Sequence, residues 1–247
     1  MEAEFDTVAQ WTARVAVELG SQFHIPAACR GSGSPAALDW LIDRMRLTAG
    51  QALLDCGAGV GGPAAYAAAA CSVRPVLVEP EAGACKAART LFDHPVVQAA
   101  GSALPVADDS VDAAWALGVL CTTTDQLAVL EELHRIVAPG GCVGLLAFVA
   151  HGAIPPDELE DNHFPTPARL TALIEAAAFE VADRLCTAEL PDIPQDWSRR
   201  EQTVTDALTE RYGHTRAWRL AEQQSSSIGR LLGDGTLTGE LLVLRVS

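Results

Sequence analysis

The most informative segment of the chain reads Leu53-Leu54-Asp55-Cys56-Gly57-Ala58-Gly59-Val60-Gly61-Gly62. The apolar residues before Asp55 indicate a buried strand, and a helical pattern opens at Pro63, directly after the glycines. Glycines let the backbone approach a ligand closely, and the start of a helix offers unpaired N–H groups. The segment therefore predicts a ligand-binding turn between a strand and a helix, and a tight turn without a ligand is the alternative.

On both sides of this turn, short apolar runs alternate with helical patterns. The predicted strands cover residues 52–56, 75–78, 96–99, 111–117, 142–149, 179–190 and 237–246. The helical patterns between them cover residues 63–71, 81–92 and 125–137, and a further helix opens at Thr166-Pro167. This alternation predicts an α/β fold whose sheet is parallel in the main and covered by helices on both faces.

Two regions lie outside the alternation. The first twenty residues have helical spacing, an irregular stretch follows over 21–34, and Ser34-Pro35 is typical of a helix start. Segment 191–234 is too long for a hairpin loop, so we predict a helical insert whose aromatic residues form a small core of their own. We predict one domain over 1–247, with an N-terminal helical lid (1–48), a cofactor-binding core (49–190), the insert (191–234) and a final strand (235–247).

The composition argues against several classes of partner. The chain has 17 basic and 32 acidic residues, a net charge of −15, and Lys86 is its one lysine. Binding of nucleic acid needs clustered Lys and Arg, which the scattered arginines do not provide. No apolar run approaches the ~20 residues of a membrane span, and the acidic start is unlike a signal peptide. We therefore expect neither nucleic acid nor membrane as a partner.

The seven cysteines lie far apart, without metal-ligand spacing. Free thiols in a reducing cytosol are the simplest interpretation, and we expect a cytoplasmic protein without a metal site. Sixteen arginines against one lysine, in an alanine-rich chain, are typical of a GC-rich bacterial genome.

The residues around the glycines indicate which ligand they hold. Gly57, Gly59 and Gly62 satisfy G-x-G-x-x-G, and Glu79 ends the next strand, as in a dinucleotide site. Asp55, however, would point into the turn, where it would repel a pyrophosphate and attract an ammonium group. Too little chain follows for the separate catalytic domain of an oxidoreductase. A nicotinamide-dependent oxidoreductase is therefore the less favoured alternative.

These segments together resemble the class I S-adenosylmethionine-dependent methyltransferases. The resemblance covers about residues 45–150 and rests on LLDCGAGVGG (53–62), VLVEP (76–80), GSALP with DSVD (101–105 and 109–112), LGVL (117–120) and LHRIVAPGG (133–141). The first segment matches the family's D/E-x-G-x-G-x-G pattern. The resemblance implies a Rossmann-like sheet with an antiparallel last strand and S-adenosyl-L-methionine as the cofactor.

The resemblance also implies roles for single positions. The implied cofactor-binding residues are Asp55, Gly57, Ala58, Gly59, Gly61, Glu79, Pro80, Ser102, Ala103, Leu117 and Gly118. The glycines would wrap the methionine part, Asp55 would interact with the turn or the amino group, and Glu79 would accept both ribose hydroxyls. Ser102-Ala103 would border adenine, and Leu117-Gly118 would line the sulfonium side. Many relatives carry Asp in place of Ser102, so the contact to adenine N6 departs from the family pattern.

The sequence indicates the methyl acceptor and the residue that takes up its proton less directly than it indicates the cofactor. The candidate bases are His163, which stands two residues after Asp161, and His24, although either histidine is more often a surface or packing residue. The chain lacks the Asn/Asp-Pro-Pro-Tyr/Phe segment with which related enzymes grip the amino groups of bases. We therefore expect in-line transfer of the methyl group to an O, N or C atom of a small molecule, and a homodimer is compatible with this. A module that binds the cofactor without transferring the methyl group is the alternative.

Overall fold

The structure is a computed structural model and describes residues 2–154, 159 and 162–246, with side chains from Phe5 onward. Its strands are β1 (Ala52–Cys56), β2 (Arg74–Glu79), β3 (Val96–Gln98), β4 (Val111–Leu117), β5 (Val137–Ala150), β6 (Glu180–Cys186) and β7 (Leu237–Arg245). Its helices are α1 (Glu2–Leu19), α2 (His24–Ala28), α3 (Pro35–Arg44), α4 (Gly62–Cys71), α5 (Ala82–Leu91), α6 (Gln126–Ile136), α7 (Pro167–Ala176), α8 (Gln195–Tyr212) and α9 (Arg216–Gly233). Short 3₁₀ turns lie at Ser21–Phe23, Leu120–Thr122 and Thr187–Glu189.

All seven of these strands form a single sheet in the order β3-β2-β1-β4-β5-β7-β6. Neighbouring strands from β3 to β5 run parallel, whereas β7 runs antiparallel to both β5 and β6. The predicted α/β fold with a reversed last strand is confirmed. The strand order reverses between β1 and β4, because the chain leaves β1 toward β2 and leaves β4 toward β5.

Helices cover both faces of the sheet. Leu38 and Leu41 of α3 pack with Trp115 on one face, where α4 also lies. On the other face, Leu130 of α6 and Leu170 of α7 pack against the opposite side chains of β4 and β5. Each fully buried leucine contributes roughly 1.5–3 kcal/mol, so both helical layers are held to the sheet by burial of apolar side chains.

The N-terminal helices and the insert pack against each other. α1 lies on α5, and both α8 and α9 contact α1. The Tyr212 ring stacks on Trp11 with 4.0 Å between the centroids, and buried Trp218 shares a core with Val15 and Ala28. The prediction that the aromatics of the insert form their own core is therefore wrong, because these side chains complete a core with residues from the start of the chain.

Some predicted boundaries also need correction. The stretch 21–34 is not wholly irregular, since a 3₁₀ turn and α2 fall within it. The strand predicted over 179–190 ends at Cys186, whose backbone N–H donates to Glu189 Oε1 at 3.2 Å and starts a turn. The strand predicted from residue 142 begins earlier, because Val137 already pairs with Val111.

No helix within the described residues is both long and apolar enough to span a bilayer.

Candidate functional site

The predicted cofactor residues gather at the carboxyl ends of three neighbouring strands. The glycine turn follows β1, Glu79 ends β2, and Gly118 follows β4. This edge includes the point between β1 and β4 where the strand order reverses. Open α/β sheets bind ligands in the crevice at such a point. The structure thus brings together residues that lie up to 63 positions apart in the sequence.

The glycine turn combines backbone geometry with open space. Gly57, Gly59 and Gly61 have φ values of +69°, +54° and +85°, in the left-handed region that favours glycine. A Cβ atom at Gly57 would lie 2.5 Å from a methyl group of Val119, and one at Gly61 would lie 2.6 Å from a methyl group of Leu77. A Cβ atom at Gly59 would meet no atom within 4 Å. Packing therefore requires glycine at 57 and 61, whereas Gly59 borders free space that a ligand could fill.

Glu79 closes this space from the next strand. Its side chain is 4% exposed, its Oε2 accepts the Gly59 N–H at 2.7 Å, and its Oε1 accepts the Glu81 N–H at 3.0 Å. Burial raises the pKa of the Glu79 carboxyl, and the two backbone N–H groups partly offset that shift. Each carboxylate oxygen keeps a second lone pair, so the group retains the capacity to accept two ribose hydroxyls. The sequence did not indicate that Glu79 also fixes the glycine turn.

Asp55 lies in β1, two residues before Gly57, and is almost wholly buried. The residue is 2% exposed, and its Oδ2 is buried without a hydrogen-bond partner among the described residues. The indole N–H of Trp115 lies close by but outside hydrogen-bond geometry, so it is unpaired as well. The pKa of Asp55 is raised from 3.8 to about 7, mainly by burial and in smaller part by the nearby Glu79 carboxylate. An unpaired buried acid of this kind fits a ligand that brings an ammonium group or a bridging water.

The loop predicted to border adenine is held from behind by an ion pair. Glu132 Oε2 accepts the Leu104 N–H at 2.6 Å, and Arg135 donates to the Leu104 carbonyl at 3.1 Å and the Val106 carbonyl at 2.8 Å. Arg135 Nε also donates to Glu132 at 2.7 Å. Ser102 is half-buried and Ala103 exposed at the front of this loop. Sequence reasoning missed the ion pair, although Glu132 and Arg135 have the i, i+3 spacing of helical pairs.

The segment 29–34 crosses over the glycine turn and the end of β4. A Cβ atom at Gly62 would lie 2.5 Å from the Cys29 backbone nitrogen, and one at Gly118 would lie 3.3 Å from the Gly31 carbonyl oxygen. Leu117 is buried and Gly118 partly exposed at this point. The start of the chain therefore forms part of the wall on the predicted sulfonium side.

The remaining predicted cofactor residues, Ala58 and Pro80, lie at the ends of the same strands. Ala58 is buried, and its N–H donates to the Val78 carbonyl at 3.1 Å. Pro80 is exposed, and its carbonyl accepts the side chain of Gln98 at 3.0 Å. Both residues therefore shape the rim through their backbone.

The structure does not group the two candidate bases. His163 is exposed, its backbone N–H donates to the Cys121 carbonyl at 2.7 Å, and Gln126 donates to its carbonyl at 2.6 Å. These contacts hold His163 beside the turn that follows β4. His24 instead meets Phe92 edge-on, with 6.3 Å between the ring centroids, on the face that carries α5. The proposed orienting residue Asp161 lies outside the described residues.

Comparisons with known proteins agree with this fold. Residues 54–145 match the family described as methyltransferase domain. Methyltransferase GfsG of Streptomyces halstedii is 31% identical over 121 residues, which cover 46% of this chain and 44% of that protein. The chain thus matches about half the length of such curated relatives.

Solved structures with the same fold include proteins of different activity. The [4+2]-cyclase SpnF has a TM-score of 0.65 at 20% identity, covering 84% of this chain and 79% of that chain. Geranyl diphosphate C-methyltransferase from Streptomyces coelicolor, bound to S-adenosyl-L-homocysteine, has a TM-score of 0.65 at 14% identity and covers 86% and 76%. At these identities the likeness shows the fold alone.

Proposed function

We propose, from the premise that the chain belongs to the class I S-adenosylmethionine-dependent methyltransferases, that it transfers a methyl group from S-adenosyl-L-methionine to a small-molecule acceptor. The observation that carries this proposal is the free space beside Gly59, bordered by the buried Glu79 carboxylate at the strand-order reversal. This arrangement lies inside the matched residues 54–145.

The residues around this space fit the cofactor. When bound, the cofactor would supply a methyl group already activated on a sulfonium. The turn from Gly57 to Gly61 would hold the methionine part, Glu79 would accept the ribose hydroxyls, and Ser102-Ala103 would border adenine. Because the donor needs no further activation, the chain contributes chiefly alignment of the acceptor and exclusion of water.

A small acceptor suits the surroundings of the site. Segment 29–34 already crosses the end of β4, and α8 and α9 pack against the N-terminal helices on the same side. We propose that residues 1–48 and 191–234 act as the cover of a single domain and limit the size of the acceptor. The net charge of −15 disfavours a nucleic-acid acceptor, and the seven free thiols suit a cytoplasmic location.

Transfer of label tests the proposal. The protein is incubated with S-adenosyl-L-methionine labelled in the methyl group and with a bacterial extract of small metabolites. We expect label to appear in a component of the extract, and none to appear without the protein. Tight binding of S-adenosyl-L-homocysteine without any transfer would favour the module that only binds the cofactor.

For acceptors that must lose a proton, we propose His163 as the general base and His24 as the second candidate. Imidazole exchanges protons near neutral pH, and His163 lies beside the turn after β4. With such an acceptor, His163→Gln is expected to lower kcat by ~10²–10⁴-fold while leaving the affinity for S-adenosyl-L-homocysteine unchanged. The matched control is His151→Gln, since His151 is exposed and its Nε2 forms a hydrogen bond with Thr238 Oγ1 at 2.9 Å. Normal turnover by His163→Gln would return the role to His24 or remove the need for a base.

A further inference from the structure

Arg30 has an unusual combination of burial and missing partners. It follows α2, and its guanidinium carbon lies 5.5 Å from the centroid of the Trp218 ring. Among the described residues, its side chain makes neither a hydrogen bond nor an ion pair within 4.0 Å. None of its nitrogens is sealed from solvent. A guanidinium carries five N–H donors, so a half-buried one without partners can bind an acceptor group from a ligand.

The residues on both sides of Arg30 lie against the proposed site. Its neighbour Gly31 approaches Gly118 at the end of β4, and its other neighbour Cys29 lies against Gly62 at the start of α4. Arg30 therefore belongs to the segment that crosses the predicted sulfonium side. The Arg30 guanidinium lies over the ring of Trp218, a residue of the insert. A cation over an indole ring gains stabilisation, and the flat ring limits the orientations of the guanidinium.

The charges near Arg30 are unequal. Burial lowers the pKa of the Arg30 guanidinium, and Glu222 and Glu201 act against that shift. Glu222 lies four residues, about one helical turn, after Trp218 on α9, and Glu201 lies on α8, which contacts the helix α2 that ends two residues before Arg30. Burial raises the pKa of the Glu201 carboxyl, and Arg30 acts against that shift. With one cation and two carboxylates, the cluster has a formal charge of −1. A simple anion would leave the two carboxylates without a cationic partner, and a simple cation would leave the N–H donors of Arg30 without an acceptor.

We propose that Arg30, Glu201 and Glu222 form the acceptor subsite for a small zwitterion, with the ligand's carboxylate on Arg30 and its ammonium group near the two glutamates. The planar guanidinium can donate two parallel hydrogen bonds to a carboxylate, which gives this end its specificity. A molecule with both charges meets the cation and the carboxylates at once. This inference rests on the proposed function, because it assigns the acceptor of the same site.

Calorimetry on the protein saturated with S-adenosyl-L-homocysteine tests the subsite. The probes are the common amino acids, each compared with the amine that lacks its carboxylate and the acid that lacks its amino group. We expect at least one amino acid to bind, and its amine and its acid to bind at least ~10-fold more weakly. Arg30→Gln should weaken that amino acid ~10–100-fold, and Arg30→Lys should restore part of the loss, because it returns the charge without the two-pronged geometry. Arg199→Gln, which removes an exposed arginine of α8, is the matched control and should bind like the original protein.

The inference is overturned if no amino acid binds, or if Arg30→Gln and Arg30→Lys both bind the best amino acid as tightly as the original protein does. Binding of the amine alone with full affinity would also overturn it, because the carboxylate would then be unused. Binding of S-adenosyl-L-homocysteine is measured first on every variant. This measurement distinguishes a failure of the acceptor subsite from a failure of the proposed function. Loss of that binding in the original protein would contradict the proposed function itself.

Discussion

Gly59→Ala is expected to lower the affinity for S-adenosyl-L-homocysteine roughly 10–100-fold. The added Cβ would meet no protein atom within 4 Å and would project into the space where the cofactor is proposed to lie. A methyl group forced into a well-packed contact costs roughly 1–3 kcal/mol, which corresponds to that change in affinity. Isothermal titration calorimetry on both proteins measures it.

Gly140→Ala separates this effect from backbone strain. Gly140 also has a positive φ, +82° against +54° for Gly59, and its added Cβ would also meet open space. It lies near the start of β5, and the site lies at the opposite, carboxyl ends of the parallel strands. Both variants should lose roughly 1–2 kcal/mol of unfolding free energy, since alanine is strained in the left-handed region. Only Gly59→Ala should lose affinity for S-adenosyl-L-homocysteine. Equal affinity in the two variants would contradict the placement of the cofactor beside this turn.

Asp55→Asn is expected to change how stability depends on pH. Because burial raises the pKa of Asp55 to about 7 in the folded state, the folded protein holds a proton that the unfolded chain releases above about pH 4. The contribution of Asp55 to stability therefore falls as the pH rises from about 4 to about 7, and it stays low above that range. Between pH 5 and pH 8, the unfolding free energy of the original protein should drop by about 2–3 kcal/mol relative to Asp55→Asn.

Urea unfolding at the two pH values measures this difference. Asp43→Asn is the control, because it makes the same change at an exposed residue. The stability profile of this variant should match that of the original protein. The ionised form of Asp55 is also the one that attracts an ammonium group, so affinity for S-adenosyl-L-homocysteine should rise through pH 7 and should lose that rise in Asp55→Asn. Parallel stability profiles for Asp55→Asn and the original protein would show that this carboxyl titrates at its usual pH.

The sequence was sufficient for the parts of the molecule that local signals determine. Pro63 after the glycines marked the start of α4, and Ser34 marked α3, where its hydroxyl accepts the Ala37 N–H at 3.3 Å. The strand predicted over 52–56 coincides with β1, and the strand predicted over 75–78 lies within β2, which ends at Glu79. Capping, turn chemistry and hydrophobic periodicity act over a few residues, so a single sequence displays them directly.

The parts that were missed depend on contacts between distant segments. The hydrogen bond from the Gly59 N–H to Glu79 joins the glycine turn to the end of β2, and the contact of Arg30 with the Trp218 ring joins the start of the chain to the insert. Helix α2 was missed because it has five residues, one of them Pro26, so it shows no periodicity of its own. Its stability comes from packing against α1, α4 and α8, and tertiary packing of this kind leaves no local signal in the sequence.

Two separate calorimetric titrations, one with S-adenosyl-L-homocysteine and one with NAD, test the cofactor site most directly. We predict saturable binding of S-adenosyl-L-homocysteine, no measurable binding of NAD, and a loss of ~1.5–3 kcal/mol of binding free energy in Glu79→Gln, because the charged acceptor of the ribose hydroxyls is then removed. Tight binding of NAD, or binding of S-adenosyl-L-homocysteine by Glu79→Gln at full strength, would contradict the assignment of this site to a methyl donor.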